Sequence, residues 1–345
     1  MERKTIYNPD SKESLNDRKI FGGNSDGMIN FTRMKYQWAL NLWDTMEANT
    51  WFPREVQMTG DAKDYKFLTP AEKRMYDLVL SQLIFMDSLQ TNNLMDNINP
   101  YITAPEINAC LSRQSYEEAN HSKSYAVMVE SISDNTDAIY DMWKNDLKLR
   151  EKNNYIAEVY KDLAGNITDE KIVLALFANQ ILEGLYFYNG FNFFYNLSSR
   201  NLMPGTSDVI RYINRDELTH CVLFENILTA IKAEFPEIYN SDVVKEMTEI
   251  ATNQEIAWTN HIIGDNVLGI SEDSTDRYTK WMANRRLVKL GEQPIFIGEQ
   301  YVQNPYKHLE KIADTEGEGD VKGNFFESTI TSYQQSSMVD GWDDF

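Results

Sequence analysis

Apolar and polar positions alternate with a helical period through most of the chain. Four segments with this period are long, at about 69–97, 103–133, 168–197 and 207–235. Each has roughly 28–30 residues, or about 42–45 Å at 1.5 Å per residue, well above the usual length of a globular helix. Glycine and proline are few, and no strong strand pattern appears. The pattern therefore predicts an all-α protein built around a bundle of four long helices.

Helix start signals mark three of these four segments. Thr69 and Glu72 have the spacing of a capping box, and Pro70 between them suits the first helical position. Thr103 opens a similar Thr-Ala-Pro-Glu sequence at the start of the second segment. Ser207 is the predicted cap of the fourth, after a Pro-Gly pair.

The rest of the chain divides into shorter helical segments and two flanking regions. Further helices are predicted at about 31–50, 136–165, 241–264 and 274–290. Three parts are expected: an N-terminal arm without a core of its own, one helical domain without interruption, and an acidic, glycine-rich linker with a tail. Their boundaries are 1–30, 31–312 and 313–345.

Composition narrows the function classes. The formal net charge of -20 argues against binding to nucleic acid or to an anionic membrane surface, because both need clustered Lys and Arg. Two cysteines are too few for a disulfide framework, which favours a reducing cytoplasm. The N-terminal residues lack an apolar signal core, and no run of about 18 apolar residues appears. We expect a cytoplasmic protein that does not span a membrane.

A carboxylate-x-x-histidine motif occurs twice in the long segments, at Glu118–His121 and at Glu217–His220. Residues three apart share a helix face, so each pair can direct a carboxylate oxygen and an imidazole nitrogen at one point. Asp87 and Glu183 interrupt the apolar faces of the other two segments, where an unpaired charge would be costly. Four helices thus offer four carboxylates and two histidines, enough for two metal ions in the bundle core.

The donor types indicate which metals suit such a centre. Oxygen-rich ligands with one imidazole per metal favour iron or manganese over zinc, which would bring cysteine or more histidine. The candidate metal ligands are Asp87, Glu118, His121, Glu183, Glu217 and His220. The other two histidines, His261 and His308, are interpreted as structural or surface residues.

Taken in order, these motifs resemble the radical-generating small (β) subunit of class I ribonucleotide reductases, a ferritin-like di-metal carboxylate family. The resemblance covers about residues 30–310 and the tail. The matching pieces are Asp87-Ser88-Leu89-Gln90, Glu118-Ala119-Asn120-His121 with Tyr125, Glu183 with Phe187, and Arg215-Asp216-Glu217-Leu218-Thr219-His220.

The resemblance implies how the ligands are shared and what they do. Asp87, Glu118 and His121 would bind one metal ion, and Glu183, Glu217 and His220 the other. Glu118 and Glu217 would bridge the two. The pair would activate molecular oxygen to generate a radical. An iron pair is the leading expectation, with a manganese pair or a mixed manganese–iron pair left open, because the tail resembles divergent bacterial groups.

The resemblance also implies a radical site and an electron path. Tyr125 matches the radical tyrosine, and the apolar pocket that shields it is matched by Phe187, Phe191 and Ile213. Trp51 and Asp216 match the pair that, with His121, starts the path toward the surface. Tyr212 beside Trp51 is a candidate electron donor during cofactor assembly.

Partners follow from the same resemblance. Tyr333 resembles the tail tyrosine that relays the radical to a large catalytic subunit, and Trp342 and Phe345 are candidate docking anchors on that subunit. We expect a homodimer that acts only with the large subunit, in the reduction of ribonucleotides to deoxyribonucleotides.

Two other functions fit the same bundle. A free-standing di-metal oxidase acting on a lipid-like substrate would use the centre without a tail that carries Tyr333. An iron-storage or structural bundle would show ferroxidase activity in a multi-subunit shell and no radical.

Overall fold

The computed structural model describes residues 2–263 and 266–313. Within these ranges the regular structure is helical, which confirms the all-α prediction, and Phe21 and Ile102 form an isolated β-bridge. In chain order the α-helices are α1 Trp38–Ala48, α2 Thr59–Phe67, α3 Pro70–Asn92, α4 Pro105–Ile132, α5 Thr136–Tyr140, α6 Met142–Asn145, α7 Leu147–Gly165, α8 Asp169–Ile181, α9 Tyr188–Ser198, α10 Pro204–Glu234, α11 Ser241–Ile263, α12 Glu272–Lys289 and α13 Lys307–Ala313.

Four long helices pack in a closed ring around the core, if α8, the π-helical turn after it and α9 are counted as one helix. Helix α3 packs on α4, α4 on α10, and α10 on both α8 and α9, while α9 returns to α3. Helix α1 covers α4 and α10 from outside, and α11 packs against α3, α7 and α12. None of the helices in the described ranges is both long and apolar enough to cross a membrane.

The third long helix is not a regular α-helix throughout. The segment predicted at 168–197 begins as α8, passes through a π-helical turn at Leu182–Tyr186, and continues as α9. A π turn holds one more residue than an α turn and is often found at functional sites. Glu183 lies in this turn. A second π-helical stretch, Asn93–Ile98, follows α3.

The capping prediction is confirmed at α3. The Thr69 hydroxyl accepts a hydrogen bond from the Glu72 N–H at 3.2 Å, and the Glu72 carboxylate accepts one from the Thr69 N–H at 2.8 Å. The same prediction is wrong at α4, where Ala104 is the cap residue and makes no side-chain cap. The Thr103 hydroxyl instead accepts from the Gly23 N–H at 3.0 Å, because the N-terminal arm packs there.

The predicted cap of α10 is also wrong. The helix begins at Pro204, three residues before Ser207, and its cap residue Met203 is left-handed with φ of 56°. Asp61 on α2 supplies the capping oxygens instead, accepting the Gly205 N–H at 2.8 Å and the Thr206 N–H at 2.6 Å. The first N–H groups of α10 are therefore capped by a carboxylate from a distant segment and not by the hydroxyl of a neighbouring residue.

Two other boundaries differ from the prediction. Helix α1 begins at Trp38 and not near 31, because the N–H groups of Lys35 and Tyr36 donate to the Glu106 carboxylate at 3.0 and 3.3 Å instead of to helical carbonyls. The segment 136–165 forms three helices, α5 to α7, in place of one. Helix α2 was not predicted.

The N-terminal arm and the residues after it pack against the end of α10 and form hydrogen bonds with it. Ile20 and Phe21 are buried in the common core, and Phe21 stacks on Phe235 with ring centroids 4.5 Å apart. The Glu234 carboxylate accepts hydrogen bonds from the Ile20 N–H at 3.2 Å, Lys35 Nζ at 2.7 Å and the Tyr36 hydroxyl at 2.6 Å. The division of the chain at residue 30 stays a prediction.

Candidate metal centre

The four long helices of the core bring the six predicted ligands close together. Asp87 comes from α3, Glu118 and His121 from α4, Glu183 from the π turn, and Glu217 and His220 from α10. All six side chains are fully buried, at 0% exposure. The helix spacing of three residues puts each glutamate beside its own histidine, as the motif predicts.

These side chains form two groups that share two glutamates. The first contains Asp87 and His121, the second Glu183 and His220, and Glu118 and Glu217 belong to both. Within each group one potential ligand atom per residue lies within 4.8 Å of all the others, so each group could hold one metal ion.

Each histidine turns Nδ1 into the cluster. His121 Nδ1 lies 3.3 Å from Glu217 Oε1 and 3.6 Å from both Asp87 Oδ2 and Glu118 Oε2. His220 Nδ1 lies 2.8 Å from Glu217 Oε2, 3.3 Å from Glu118 Oε1 and 3.7 Å from Glu183 Oε2. Both shared glutamates thus contact both imidazoles, which is the arrangement that bridging ligands need.

Several of these buried atoms make no hydrogen bond to the described residues. They are Asp87 Oδ1 and Oδ2, Glu118 Oε2, His121 Nδ1, Glu183 Oε2 and Glu217 Oε1. Unsatisfied buried polar groups are costly and rare, and all of these face one small volume. The donor set of carboxylates and imidazoles therefore fits two cations there.

The electrostatics of the cluster support the same conclusion. Burial and repulsion from Glu217 raise the pKa of Glu183 to about 8. Burial, followed by the charge of Glu118, raises the pKa of Asp87 well above its usual value. Burial disfavours charge on His121, yet its contacts with Asp216, Glu118 and Glu217 raise its pKa well above the usual value. Cations would replace the protons that the cluster otherwise holds.

Each imidazole is held from behind by a carboxylate of the opposite helix. His121 Nε2 lies 3.1 Å from Asp216 Oδ2, and His220 Nε2 lies 2.9 Å from Glu117 Oε2. Because a carboxylate only accepts, the Nε2–H of each ring donates and Nδ1 is left for a metal ion. Arg113 in turn donates from Nε to Glu117 at 3.0 Å.

Amide side chains hold Glu183 on its outer side. Gln114 Nε2 donates to Glu183 Oε1 at 2.8 Å and to Glu118 Oε1 at 3.0 Å. Gln90 Nε2 also donates to Glu183 Oε1. One oxygen of Glu183 is thus fixed by amides, and the other faces His220.

The sequence motifs do not identify Glu117 or Gln114, and they include Gln90 only as part of the matching Asp87-Ser88-Leu89-Gln90 piece, without a role. The available signal was an acidic residue directly before each motif glutamate, Glu117 before Glu118 and Asp216 before Glu217. Only Asp216 was noted, through the resemblance. The two glutamines carry no charge and give no such signal.

Tyr125 lies one turn beyond His121 on α4 and is 0% exposed. Burial, followed by the charge of Asp87, raises the pKa of its phenol well above the usual value. Its hydroxyl makes no hydrogen bond of good geometry to the described residues. Phe187, Phe191 and Ile213 are also fully buried, and the two phenylalanine rings stack at 5.7 Å.

Asp216 connects the side chains of Trp51 and His121 in space. The Trp51 indole N–H donates to Asp216 Oδ2 at 2.7 Å, and the same oxygen contacts His121 Nε2. The Trp51 ring stacks on His121 at 6.2 Å and on Tyr212 at 5.1 Å. The buried indole therefore lies between the cluster and the partly exposed Tyr212.

The sequence also offers candidates in the tail and on α11. Tyr333, Trp342 and Phe345 lie outside the described residues. His261 contacts Asp146 at 2.8 Å and Arg74 at 3.2 Å on the outside of the bundle, in agreement with its interpretation as a surface residue.

Comparison with known proteins identifies the family. Residues 28–305 match the model of the family described as ribonucleotide reductase, small chain. The ribonucleoside-diphosphate reductase subunit beta of Treponema pallidum is 38% identical over 99% of this chain and 97% of its own length. The subunit of the same name from Halalkalibacterium halodurans is 33% identical over 100% of this chain and 99% of its own.

A solved structure agrees. The ribonucleotide reductase R2 subunit from Clostridium botulinum has a TM-score of 0.87 and 34% identity, covering 91% of this chain and 99% of its own. The chain belongs to the ribonucleotide reductase small-chain family and is thus the small subunit of an oxidoreductase that has a large subunit as its partner.

Proposed function

We propose that this subunit generates and stores a radical on Tyr125 for delivery to the large subunit. Asp87, Glu118 and His121 would hold one metal ion and Glu183, Glu217 and His220 the other, with Glu118 and Glu217 shared. A redox-active pair, iron–iron foremost and manganese–manganese or manganese–iron otherwise, would supply the one-electron oxidant, with molecular oxygen as the final electron acceptor. The observation that carries the proposal is the set of buried ligand atoms without hydrogen bonds around one small volume.

The surroundings of Tyr125 suit radical storage. Its raised pKa keeps the phenol protonated before oxidation, so a hydroxyl proton must leave when an electron does. Asp87 on α3 is the proposed proton acceptor, because its charge is among those that raise the pKa of this phenol. Complete burial would keep water and reductants from the oxidised ring.

The proposed exit path uses His121, Asp216 and Trp51. One oxygen of Asp216 contacts both the indole and the imidazole, which would hold the two rings near each other during transfer. Tryptophan and tyrosine can carry an oxidising equivalent in steps. Tyr212, stacked on Trp51, would donate an electron inward during assembly of the centre.

We further propose a homodimer whose tail docks on the large subunit. Tyr333 would relay the radical, and Trp342 and Phe345 would anchor the tail. Deletion of residues 325–345 should abolish nucleotide reduction with the large subunit while metal content and radical signal persist. Unchanged nucleotide reduction would refute the role of the tail.

Electron paramagnetic resonance tests the radical directly. The protein would be loaded with iron, manganese or both, exposed to oxygen, and compared with Tyr125→Phe. The matched control is Tyr278→Phe, which changes a buried tyrosine on a different helix, α12. A tyrosyl signal present in wild type and control and absent in Tyr125→Phe supports the proposal, and a metal-centred signal that is indifferent to Tyr125 overturns it.

A further inference from the structure

We propose that Arg286 is a positioning residue for the metal centre: by binding the carbonyl of Gly184 it holds the π turn in the shape that places Glu183. The inference rests on the proposed di-metal function. It concerns a residue on α12, a helix that supplies none of the six ligands.

The π turn is held by side chains from two other helices. Arg286 Nε donates to the Gly184 carbonyl at 3.0 Å, and Gln82 Nε2 on α3 donates to the Tyr186 carbonyl at 3.1 Å. Gln82 is itself fixed by the Trp258 indole N–H. The extra residue of a π turn disrupts the regular backbone ladder. Hydrogen bonds from outside the helix therefore stabilise this turn against the regular α form.

Gly184 provides the space that this contact needs. A Cβ atom at position 184 would lie 2.8 Å from Arg286 Nε and 3.1 Å from its Cδ. A real Cβ does not approach that closely, so any side chain there would push the guanidinium away from the carbonyl. The glycine and the arginine thus form one unit, the 184–286 contact.

Arg286 is fixed on its other sides as well. Its side chain is only 15% exposed, and Nη1 lies 3.6 Å from the Glu225 carboxylate on α10. Its guanidinium stacks over the Tyr188 ring with 5.1 Å between the group and the ring centroid. An arginine held by an ion pair and an aromatic face has little freedom to follow a shifting backbone.

Glu183 is the residue that this arrangement affects most. It directly precedes Gly184, and its carboxylate is shared between outer amide donors and the inner face near His220. Asp87 and His121 come from helices outside the 184–286 contact. Loosening the π turn should therefore weaken the second metal group, which contains Glu183, and spare the first.

Titration with Mn(II) alone under anaerobic conditions, followed by electron paramagnetic resonance, separates the two groups. Arg286→Lys keeps a positive charge opposite Glu225 but lacks the Nε–H donor. Gly184→Ala disturbs the same contact from the other side. Arg285→Lys is the matched control, since its guanidinium lies over Trp281, 4.9 Å from the ring. Circular dichroism and thermal melting report folding.

Wild type and Arg285→Lys should bind two Mn(II) ions per chain and show a spin-coupled signal. Arg286→Lys and Gly184→Ala should bind the first ion as wild type does and the second at least about tenfold more weakly, with the coupled signal replaced by that of an isolated ion. If wild type binds no Mn(II), the same titration is made with Fe(II), and wild-type protein that binds neither ion would refute the proposed function.

Two results would overturn the positioning role while leaving the proposed function intact. One is retention of both ions in Arg286→Lys and Gly184→Ala with affinities within twofold of wild type. The other is loss of the fold in both variants, which would make the 184–286 contact part of the general core and not a determinant of the second group.

Discussion

Glu117 holds His220 from behind, with Oε2 of the carboxylate 2.9 Å from Nε2 of the ring. Replacement by glutamine keeps a hydrogen-bond acceptor but removes the charge that makes the imidazole a better ligand. We expect Glu117→Gln to weaken binding of the second Mn(II) or Fe(II) ion by about 10- to 100-fold. Calorimetric titration would measure this, with Glu130→Gln, an exposed site on the same helix, as control. Equal affinities in both variants would contradict it.

Asp216 connects Trp51 to His121 through a single oxygen. In Asp216→Asn one of these two hydrogen bonds is lost or reversed, because an amide has one acceptor atom and one donor group. Nucleotide reduction with the large subunit should fall by about 10- to 100-fold, while the Tyr125 signal persists. Trp51→Phe removes the same hydrogen bond from the other side and should give the same pair of results. If the Tyr125 radical and nucleotide reduction are both lost, Asp216 acts in assembly of the metal centre and not in radical transfer.

The buried hydroxyl of Tyr125 predicts an unusual stability effect. Because it makes no hydrogen bond of good geometry to the described residues, it contributes an unsatisfied polar group to the folded protein. Tyr125→Phe should therefore leave the free energy of unfolding of the metal-free protein unchanged or raise it by about 1 kcal/mol. Urea unfolding of chelator-treated protein measures this. Destabilisation by more than about 1 kcal/mol would show that the hydroxyl has a stabilising partner.

The capping box of α3 should contribute measurably to stability. Thr69→Ala removes the acceptor of the Glu72 N–H and should cost about 1 kcal/mol. Thr45→Ala is a suitable control, because its hydroxyl donates to the Asn41 carbonyl within α1 and does not cap the helix start. If chemical unfolding gives equal losses for the two variants, the capping box has no special effect.

Stability of the metal-free protein should depend on pH through Glu183. Its pKa rises from 4.5 to about 8 on folding, so the folded state binds the proton more tightly. This contribution to stability is fully present below about pH 4.5 and is lost as the pH rises through about 8. Melting of chelator-treated protein between pH 5 and pH 8 should therefore show a decline that is smaller in Glu183→Gln. A decline of the same size in both proteins would contradict the assignment.

The sequence allowed the fold and the six candidate ligands to be predicted because both depend on local spacing. Helical periodicity marks the long segments, and two residues three apart on a helix must share a face. Asp87 and Glu183 could be found because a carboxylate in an apolar stripe needs an explanation. The structure then needs only to bring four such faces together.

The features that the sequence did not predict depend on contacts between distant residues. The π turn around Glu183 is held by Arg286 and Gln82, about 100 residues away on either side. Helix α10 is capped by Asp61 and not by Ser207. Local sequence propensity cannot predict such pairs, because their residues come into contact only when the helices pack.

The bonds of Glu234 also constrain the order in which the chain can fold during synthesis. The Ile20 N–H, Lys35 Nζ and the Tyr36 hydroxyl all donate to this carboxylate at the end of α10. Translation adds about 5–20 residues per second, so Glu234 emerges roughly 10–40 s after these partners. Until then the arm can contact Thr103 and Glu106 but not the end of α10. These residues, made about 200 positions before Glu234, are thus among the last to reach their final position.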